Sequence, residues 1–304
     1  MTPNLSTNIG GIQMKNPVMT ASGTFGYGPE YAELVDLNQL GAIVVKGICL
    51  NETKGNQTPR TAEAASGLLN AIGLPGPGVA GFVREYMPFL RQYDVPVIVN
   101  IWGKTIEEYV EVAARFDSIP GVAGLEVNVS CPNIKEGSAL FGTDLKMFER
   151  VVKAIRNATR LPLMPKLAPN VADIAEYARC AEACGADAIS LINSFPAMSV
   201  NIETRRPMLA NKTGGLSGPA IKPIALRLVW LAAQAVKIPV VGMGGIASAE
   251  DALEFLMVGA RAVAVGTASF IHPDTALKVV RGIEQFLAEK NLATVADWVG
   301  AFDP

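Results

Sequence analysis

Cys184-Gly185-Ala186-Asp187-Ala188 and Val258-Gly259-Ala260-Arg261-Ala262 are one pattern used twice: a helix stopped by glycine, a short turn, then an apolar strand. The strands they lead into are Ala186–Asn193 and Ala262–Gly266. Six further runs of the same kind lie outward from them: Pro17–Ser22, Ala42–Lys46, Val97–Ile101, Gly124–Ser130, Leu163–Leu167 and Pro239–Gly242. All are continuously apolar and do not alternate, the signature of strands buried on both faces of a parallel sheet.

Between these runs apolar residues recur at helical spacing. Thr105–Phe116 sets Ile106, Tyr109, Val110 and Ala113 on one face, and Asp144–Asn157, Val171–Cys184, Pro219–Ala235, Ala249–Val258 and Pro273–Lys290 behave alike. Ser248 ahead of Asp251 resembles a capping box with Asp for the usual Glu, and Gly185 and Gly259 stand where helix stops belong. Eight strands alternating with helices predict an α/β fold closed into a (β/α)8 barrel, one domain over residues 1–304. Three connections exceed plain turns, at about Cys49–Val83, Cys131–Gly142 and Ser194–Gly218. All follow strand C-terminal ends, which places long loops on the barrel face where such folds carry their chemistry.

Half of the 304 residues are hydrophobic and 18% are charged, enough for a large core. The mean hydropathy is positive, yet no run approaches the roughly 20 apolar residues of a membrane helix. A net charge of −2, scattered along the chain, provides no basic face for nucleic acid. Met1-Thr2-Pro3-Asn4 lacks the succession of a signal peptide, so the chain reads as cytoplasmic, with neither nucleic acid nor membrane as partner. Cys49, Cys131, Cys180 and Cys184 include no Cys-x-x-Cys pair, and His272 is the only histidine. No metal site is expected on that inventory. Cys180 and Cys184 read as packed inward on a helix face, and His272 as structural.

Asn128-Val129-Ser130-Cys131-Pro132-Asn133 ends the strand Leu125-Glu126-Val127, so its polar side chains should emerge at the barrel mouth. A thiol there is a base or a nucleophile, although at a pKa of about 8.5 little of it is thiolate at neutral pH. Without a histidine nearby in sequence, single proton abstraction from an acidified C–H suits Cys131 better than acyl transfer.

Two lysines end apolar runs: Lys46 after Ala42-Ile43-Val44-Val45, and Lys166 within Leu163-Met164-Pro165-Lys166-Leu167. Burying an unpaired ammonium is costly, so both point to a bound anion, either a carboxylate or the N1–C2=O edge of a reduced flavin. Gly242-Met243-Gly244-Gly245 and Gly266-Thr267 follow the last two strands, where barrels bind phosphate on backbone N–H groups. Gly214-Gly215-Leu216-Ser217-Gly218-Pro219 could add further donors. None of these glycines sits in the βαβ context of a dinucleotide fold, so the phosphate belongs to a mononucleotide such as FMN. Asn70, Asn100, Asn128, Asn133 and Asn193, with Ser194, suit a planar ring bearing amide N–H and C=O groups.

Together these segments resemble the class 1 dihydroorotate dehydrogenases over essentially the whole chain. The matching motifs begin with Ala21-Ser22-Gly23, Val45-Lys46-Gly47 and Asn70-Ala71-Ile72-Gly73-Leu74. They continue with the Asn128–Asn133 stretch, Lys166-Leu167-Ala168-Pro169, Ile192-Asn193-Ser194 and the glycine segments already quoted. The resemblance implies that Cys131 takes the C5 proton of dihydroorotate while the C6 hydride goes to FMN. It implies that Lys46, Asn70, Ala71, Ile72, Gly73, Leu74, Asn128, Asn193 and Ser194 hold the substrate. For FMN it implies Ser22, Lys46, Gly47, Asn100, Asn128, Lys166, Ile192 and Gly218, with the phosphate on Gly244, Gly245, Gly266 and Thr267.

Thr20-Ala21-Ser22-Gly23-Thr24-Phe25-Gly26-Tyr27-Gly28 and Leu209-Ala210-Asn211-Lys212-Thr213-Gly214-Gly215 look most like the NAD-linked subclass 1B. That subclass implies an electron-transfer subunit carrying FAD and a 2Fe–2S cluster, in a heterotetramer around a dimer of this chain. The alternatives are the fumarate-using subclass, a dihydropyrimidine dehydrogenase-like flavin barrel, and a barrel that only binds a phosphorylated ligand.

Overall fold

The computed structural model describes residues 2–129 and 138–303. Eight strands build one parallel sheet: β1 Val18–Thr20, β2 Ile43–Ile48, β3 Val97–Ile101, β4 Val122–Asn128, β5 Leu163–Lys166, β6 Ile189–Leu191, β7 Val240–Met243 and β8 Ala262–Val265. Their hydrogen-bonded order runs β1-β8-β7-β6-β5-β4-β3-β2. A parallel bridge between Met19 and Ala42 joins the two ends and closes the barrel. At that seam the Thr20 N–H donates to the Ala42 carbonyl at 3.2 Å, and the Val44 N–H donates to Thr20 Oγ1 at 3.0 Å. The fold is the expected (β/α)8 barrel.

Among the described residues, seven helices of eight or more residues lie outside: α1 Gly78–Glu85, α2 Ile106–Asp117, α3 Leu145–Ala158, α4 Ile174–Ala183, α5 Lys222–Ala235, α6 Ala249–Met257 and α7 Thr275–Glu289. Side-chain oxygens of Thr105, Asp144 and Asp173 cap α2, α3 and α4, and Ser248 with Asp251 forms the full capping box on α6. The two turns that decide the fold are the same structure. Gly185 (φ +83°) and Gly259 (φ +113°) are left-handed, and the next residue's N–H reaches back to the last turn, Ala186 to Ala181 and Ala260 to Phe255. On α2 the buried stripe is Tyr109, Val112, Ala113 and Phe116. Ile106 and Val110, expected on that face, lie at its half-buried edges, and Val112 and Phe116 take the buried positions instead.

The period of two along each strand divides the core. Val45, Val99, Val127, Val263 and Val265 pack outward against the helices. Val44, Ile98, Met164, Ala188, Val241 and Ala262 pack inward. The N-terminal end of this interior is filled by a hairpin that the sequence reading did not include, Thr7–Ile9 paired with Ile12–Met14. Its turn residues Gly10 and Gly11 both have positive φ, as a two-residue hairpin loop requires. Ile9, Ile12 and Met14 join the interior cluster.

At the opposite end, two of the three connections expected as loops carry strands. Thr61–Ala64 and Gly67–Asn70 from one, and Phe195–Met198 and Thr213–Ser217 from the other, make a four-stranded antiparallel sheet. The join is Gly67–Asn70 against Thr213–Ser217, a pairing 145 residues apart at Asn70 and Gly215 that no local pattern announces. No described helix is long and apolar enough to cross a membrane.

Candidate active site

A cavity of about 400 Å³ opens where the C-terminal ends of the barrel strands meet the antiparallel sheet, within the size range of small-molecule sites. Its floor is polar because the inward positions of the strands change character toward that end. Ile98 is followed two residues later by Asn100, Gly124 by Glu126, Met164 by Lys166 and Ala188 by Ser190. Glu126, which sequence reasoning passed over within an apolar run, is 0% exposed and lies at the centre. Its Oε2 accepts from Asn100 Nδ2 at 2.6 Å and lies 3.7 Å from Lys166 Nζ, while its Oε1 accepts from Ser190 Oγ at 2.8 Å. Lys166 Nζ also donates to Ser22 Oγ at 3.3 Å. The anion expected opposite Lys166 is therefore partly supplied by the protein. A glutamate between Leu125 and Val127 in a buried strand was the signal that could have found it.

The other lysine is different. Among the described residues no carboxylate forms an ion pair with Lys46. Burial, reinforced by the Arg60 guanidinium, holds its ammonium below the ordinary lysine range, with Glu30 opposing weakly. It lines the cavity at an irregularity in β2–β3 pairing between Val45 and Ile48, a place where a strand re-aims its side chains. Gly47 beside it cannot carry a side chain freely: a Cβ would lie 3.0 Å from Asn100 Oδ1 and 3.1 Å from Trp102.

The remaining predicted positions gather around the same space. Asn193 Nδ2 donates to Asn128 Oδ1 at 3.1 Å, the Ser194 N–H donates to Asn193 Oδ1 at 2.8 Å, and Asn70 Nδ2 donates to the Gly215 carbonyl at 3.2 Å. Asn70, Asn128, Asn193 and Ser194 line the cavity, as do Ile72, Gly73, Leu74 and Ile192. Ala71 does not; it packs with Leu69 and Leu209 in a small cluster of its own. Cys131, with Ser130, Pro132 and Asn133, lies outside the described residues. Lining residues that the sequence reading did not single out include Tyr27, Glu30, Thr61, Leu68 and Phe270. Thr61 and Leu68 reach the site only through the antiparallel sheet, so no signal local to them could reveal it.

The far wall is a glycine cradle. Gly244 (φ +125°), Gly245 (φ +84°) and Gly218 (φ +96°) adopt left-handed backbone and line the cavity with Gly266 and Thr267. A Cβ on Gly244 would stand 2.7 Å from that of Ala225, and one on Gly245 would stand 3.0 Å from the Gly218 carbonyl. Thr267 Oγ1 donates to Ser217 Oγ at 2.8 Å. The nearby Lys222 is engaged elsewhere, with Asp251 at 2.6 Å and Glu254 at 3.0 Å, so an anion in the cradle would be held by backbone N–H groups. Asn100 Oδ1 is buried without a partner among the described residues, an acceptor in a residue that lines the same cavity as Lys166. Acceptor, cation and glycine cradle in one cavity fit a flat imide-bearing ring with a phosphate tail.

Away from the cavity, Cys184 is buried and Cys180 half-buried, and burial pushes the Cys180 thiol up to about 12. Both are packed, unreactive thiols, as expected.

The chain is similar to known proteins over its whole length. The family model for dihydroorotate dehydrogenase matches residues 4–287. The protein named dihydroorotate dehydrogenase B (NAD(+)), catalytic subunit, from Trichlorobacter lovleyi is 54% identical over 303 residues, covering 100% of both chains. Its namesakes from Pelobacter propionicus, at 53% over 303 residues with 100% of both chains covered, and Geobacter sulfurreducens, at 54% over 302 with 99% of each, are as similar. On a family match across most of its length and on relatives identical at half their positions, the chain belongs to the dihydroorotate dehydrogenase family.

Proposed function

We propose that the chain oxidises dihydroorotate to orotate with FMN in the cavity and Cys131 as the base. The observation that supports this most is one cavity holding both halves of such a site: a glycine cradle after β7 and β8, and a floor of Asn100 and Lys166 backed by Glu126. Lys46 pairs with the substrate carboxylate, the anion that its surroundings in the fold leave to a ligand. Asn70, Asn128, Asn193 and Ser194 serve the amide edges of the ring, and Ala71, Ile72, Gly73 and Leu74 shape the segment that encloses it. Cys131, three residues beyond Asn128 in the chain, takes the C5 proton, and the C6 hydrogen leaves with its electron pair. FMN, when bound, supplies the acceptor for that pair. Ser22, Lys46, Gly47, Asn100, Asn128, Lys166, Ile192 and Gly218 would hold it, with its phosphate on Gly244, Gly245, Gly266 and Thr267.

Electrons continue to NAD through a second subunit, consistent with the words "catalytic subunit" in the relatives' names. That partner carries FAD and a 2Fe–2S cluster, in a cytoplasmic heterotetramer built around a dimer of this chain.

The decisive experiment mixes the FMN-loaded chain anaerobically with dihydroorotate while flavin absorbance is followed. Rapid bleaching with dihydroorotate and none with dihydrouracil is the expected result, with NAD reduced only once the partner is added. A loaded chain that stays yellow in dihydroorotate would defeat the proposal.

A further inference from the structure

The floor of the cavity contains a carboxylate that no step above employs. Glu126 is fully enclosed, and a buried carboxylate without compensation is strongly unfavourable. Here it has three partners from three different strands: Asn100 on β3, Lys166 on β5 and Ser190 on β6. Two of the three, Asn100 and Lys166, also line the cavity, whereas Ser190 and Glu126 lie beneath it. The carboxylate thus forms a layer under the groups that would meet a ring.

Two consequences follow from its chemistry. A carboxylate only accepts hydrogen bonds, so Asn100 must turn its NH2 down toward Glu126. Its carbonyl oxygen is then the atom left free, and it is the one buried without a partner among the described residues. The negative charge also lies close to the Lys166 ammonium, so the cation presented to the cavity is partly neutralised from behind. Asn100 would otherwise be able to present either end of its amide, and Lys166 would present its full charge.

We propose that Glu126 is a positioning residue that fixes Asn100 as an acceptor and moderates Lys166, so that the cavity floor holds the oxidised cofactor well and restrains the stabilisation of the reduced one. The inference rests on the FMN reading given above. Its sign is definite. Reduction adds negative charge to the ring, which the Lys166 ammonium favours and the Glu126 carboxylate opposes. Neutralising Glu126 should therefore shift binding toward reduced FMN.

The test is the ratio of affinities for oxidised and reduced FMN, read as the flavin midpoint potential of the loaded protein, together with the Kd for oxidised FMN. Glu126→Gln should raise the affinity ratio in favour of reduced FMN by about tenfold, roughly 30 mV for a two-electron couple. The Kd for oxidised FMN should rise, because the glutamine amide competes for the orientation of Asn100. Glu126→Asp, which keeps the charge on a shorter arm, should return the potential most of the way to wild type. A purely structural ion pair would change thermal stability in Glu126→Gln and leave the potential where it was, and that result would overturn the proposal. Should Glu126→Gln not fold, Ser190→Ala takes its place. It removes one hydrogen bond from the carboxylate, leaves its charge less dispersed, and should lower the potential by a smaller amount; an unchanged potential there overturns the proposal equally. A wild-type chain that takes up no FMN would overturn the cofactor reading itself, whereas wild-type loading with a variant of unaltered potential overturns only the role of Glu126.

Discussion

The two ends of the barrel interior are built by the same strands, one repeat apart. At the N-terminal end Val44, Ile98, Met164 and Ala188 meet Ile9, Ile12 and Met14 of the hairpin in a fully apolar plug. Two residues further along, the inward positions are Lys46, Asn100, Lys166 and Ser190, with Glu126 among them. One step of a period-two pattern separates core from site. The polar layer is held by side chains aimed at one another across four strands, Asn100, Glu126, Lys166 and Ser190, with Asn100 Oδ1 left unpartnered among the described residues. Stability and chemistry are thus stacked along the barrel axis, and substitutions in the two layers should have separable effects.

The sharpest separation comes from the residue assigned as base. Cys131→Ala should slow flavin reduction by dihydroorotate by about 10²–10⁴-fold, the usual worth of a positioned base, with the melting temperature unchanged. Stopped-flow bleaching checks this, and a normal rate would remove Cys131 from the role. The opposite profile belongs to the plug. Met164→Ala, at a position 2% exposed in the interior cluster, should cost about 2–5 kcal/mol in denaturant unfolding while leaving the KM for dihydroorotate near wild type. If Met164→Ala disturbs substrate binding as strongly as stability, the two layers are not independent.

How much of this was legible in the sequence follows from the same geometry. The strands were, because continuous apolar runs such as Val97–Ile101 and Ala262–Val265 report burial on both faces directly. The glycine stops at Gly185 and Gly259 were, because a left-handed residue has a residue type of its own. The strand ends were overextended: Ala186–Asn193 contracts to Ile189–Leu191, although backbone hydrogen bonds to the neighbouring strands continue on either side, at Asp187, Ile192 and Asn193. The hairpin at Gly10–Gly11 was readable in principle and overlooked. Glu126 was hidden by averaging, one charge within a run that is otherwise apolar. The antiparallel sheet was not readable at all, since the pairing of Asn70 with Gly215 is set by the closed barrel that brings their loops together.

A backbone change in the cradle lies between these extremes. Gly244→Ala would place a methyl group 2.7 Å from the Ala225 side chain at a φ of +125°. Strain of this kind is worth about 1–3 kcal/mol. It should appear as a roughly tenfold weaker Kd for FMN in fluorescence titration, with helix content retained. The same substitution at Gly300, whose added Cβ would meet nothing within 4 Å, should leave FMN binding untouched and sharpens the contrast between cradle and periphery.

The smallest effect expected concerns the one polar-layer cation without a carboxylate partner among the described ion pairs. Lys166 has Glu126 beneath it, whereas Lys46 is held below the ordinary lysine range by burial and by Arg60. Its ammonium is therefore lost on raising the pH earlier than that of a free lysine, and the attraction for a bound carboxylate is lost with it. Orotate affinity should be full at neutral pH and fall by about fivefold as the pH rises through this depressed value, the order of 1 kcal/mol that a partly solvated ion pair contributes. Arg60→Gln removes one of the two causes and should move the break to higher pH. Lys46→Arg, charged throughout the accessible range, should abolish it. Orotate titrations across pH, followed by the flavin spectrum, distinguish the cases: a break that persists in Lys46→Arg belongs to a group other than Lys46. The contrast between the two lysines would then lie elsewhere than in their counterions.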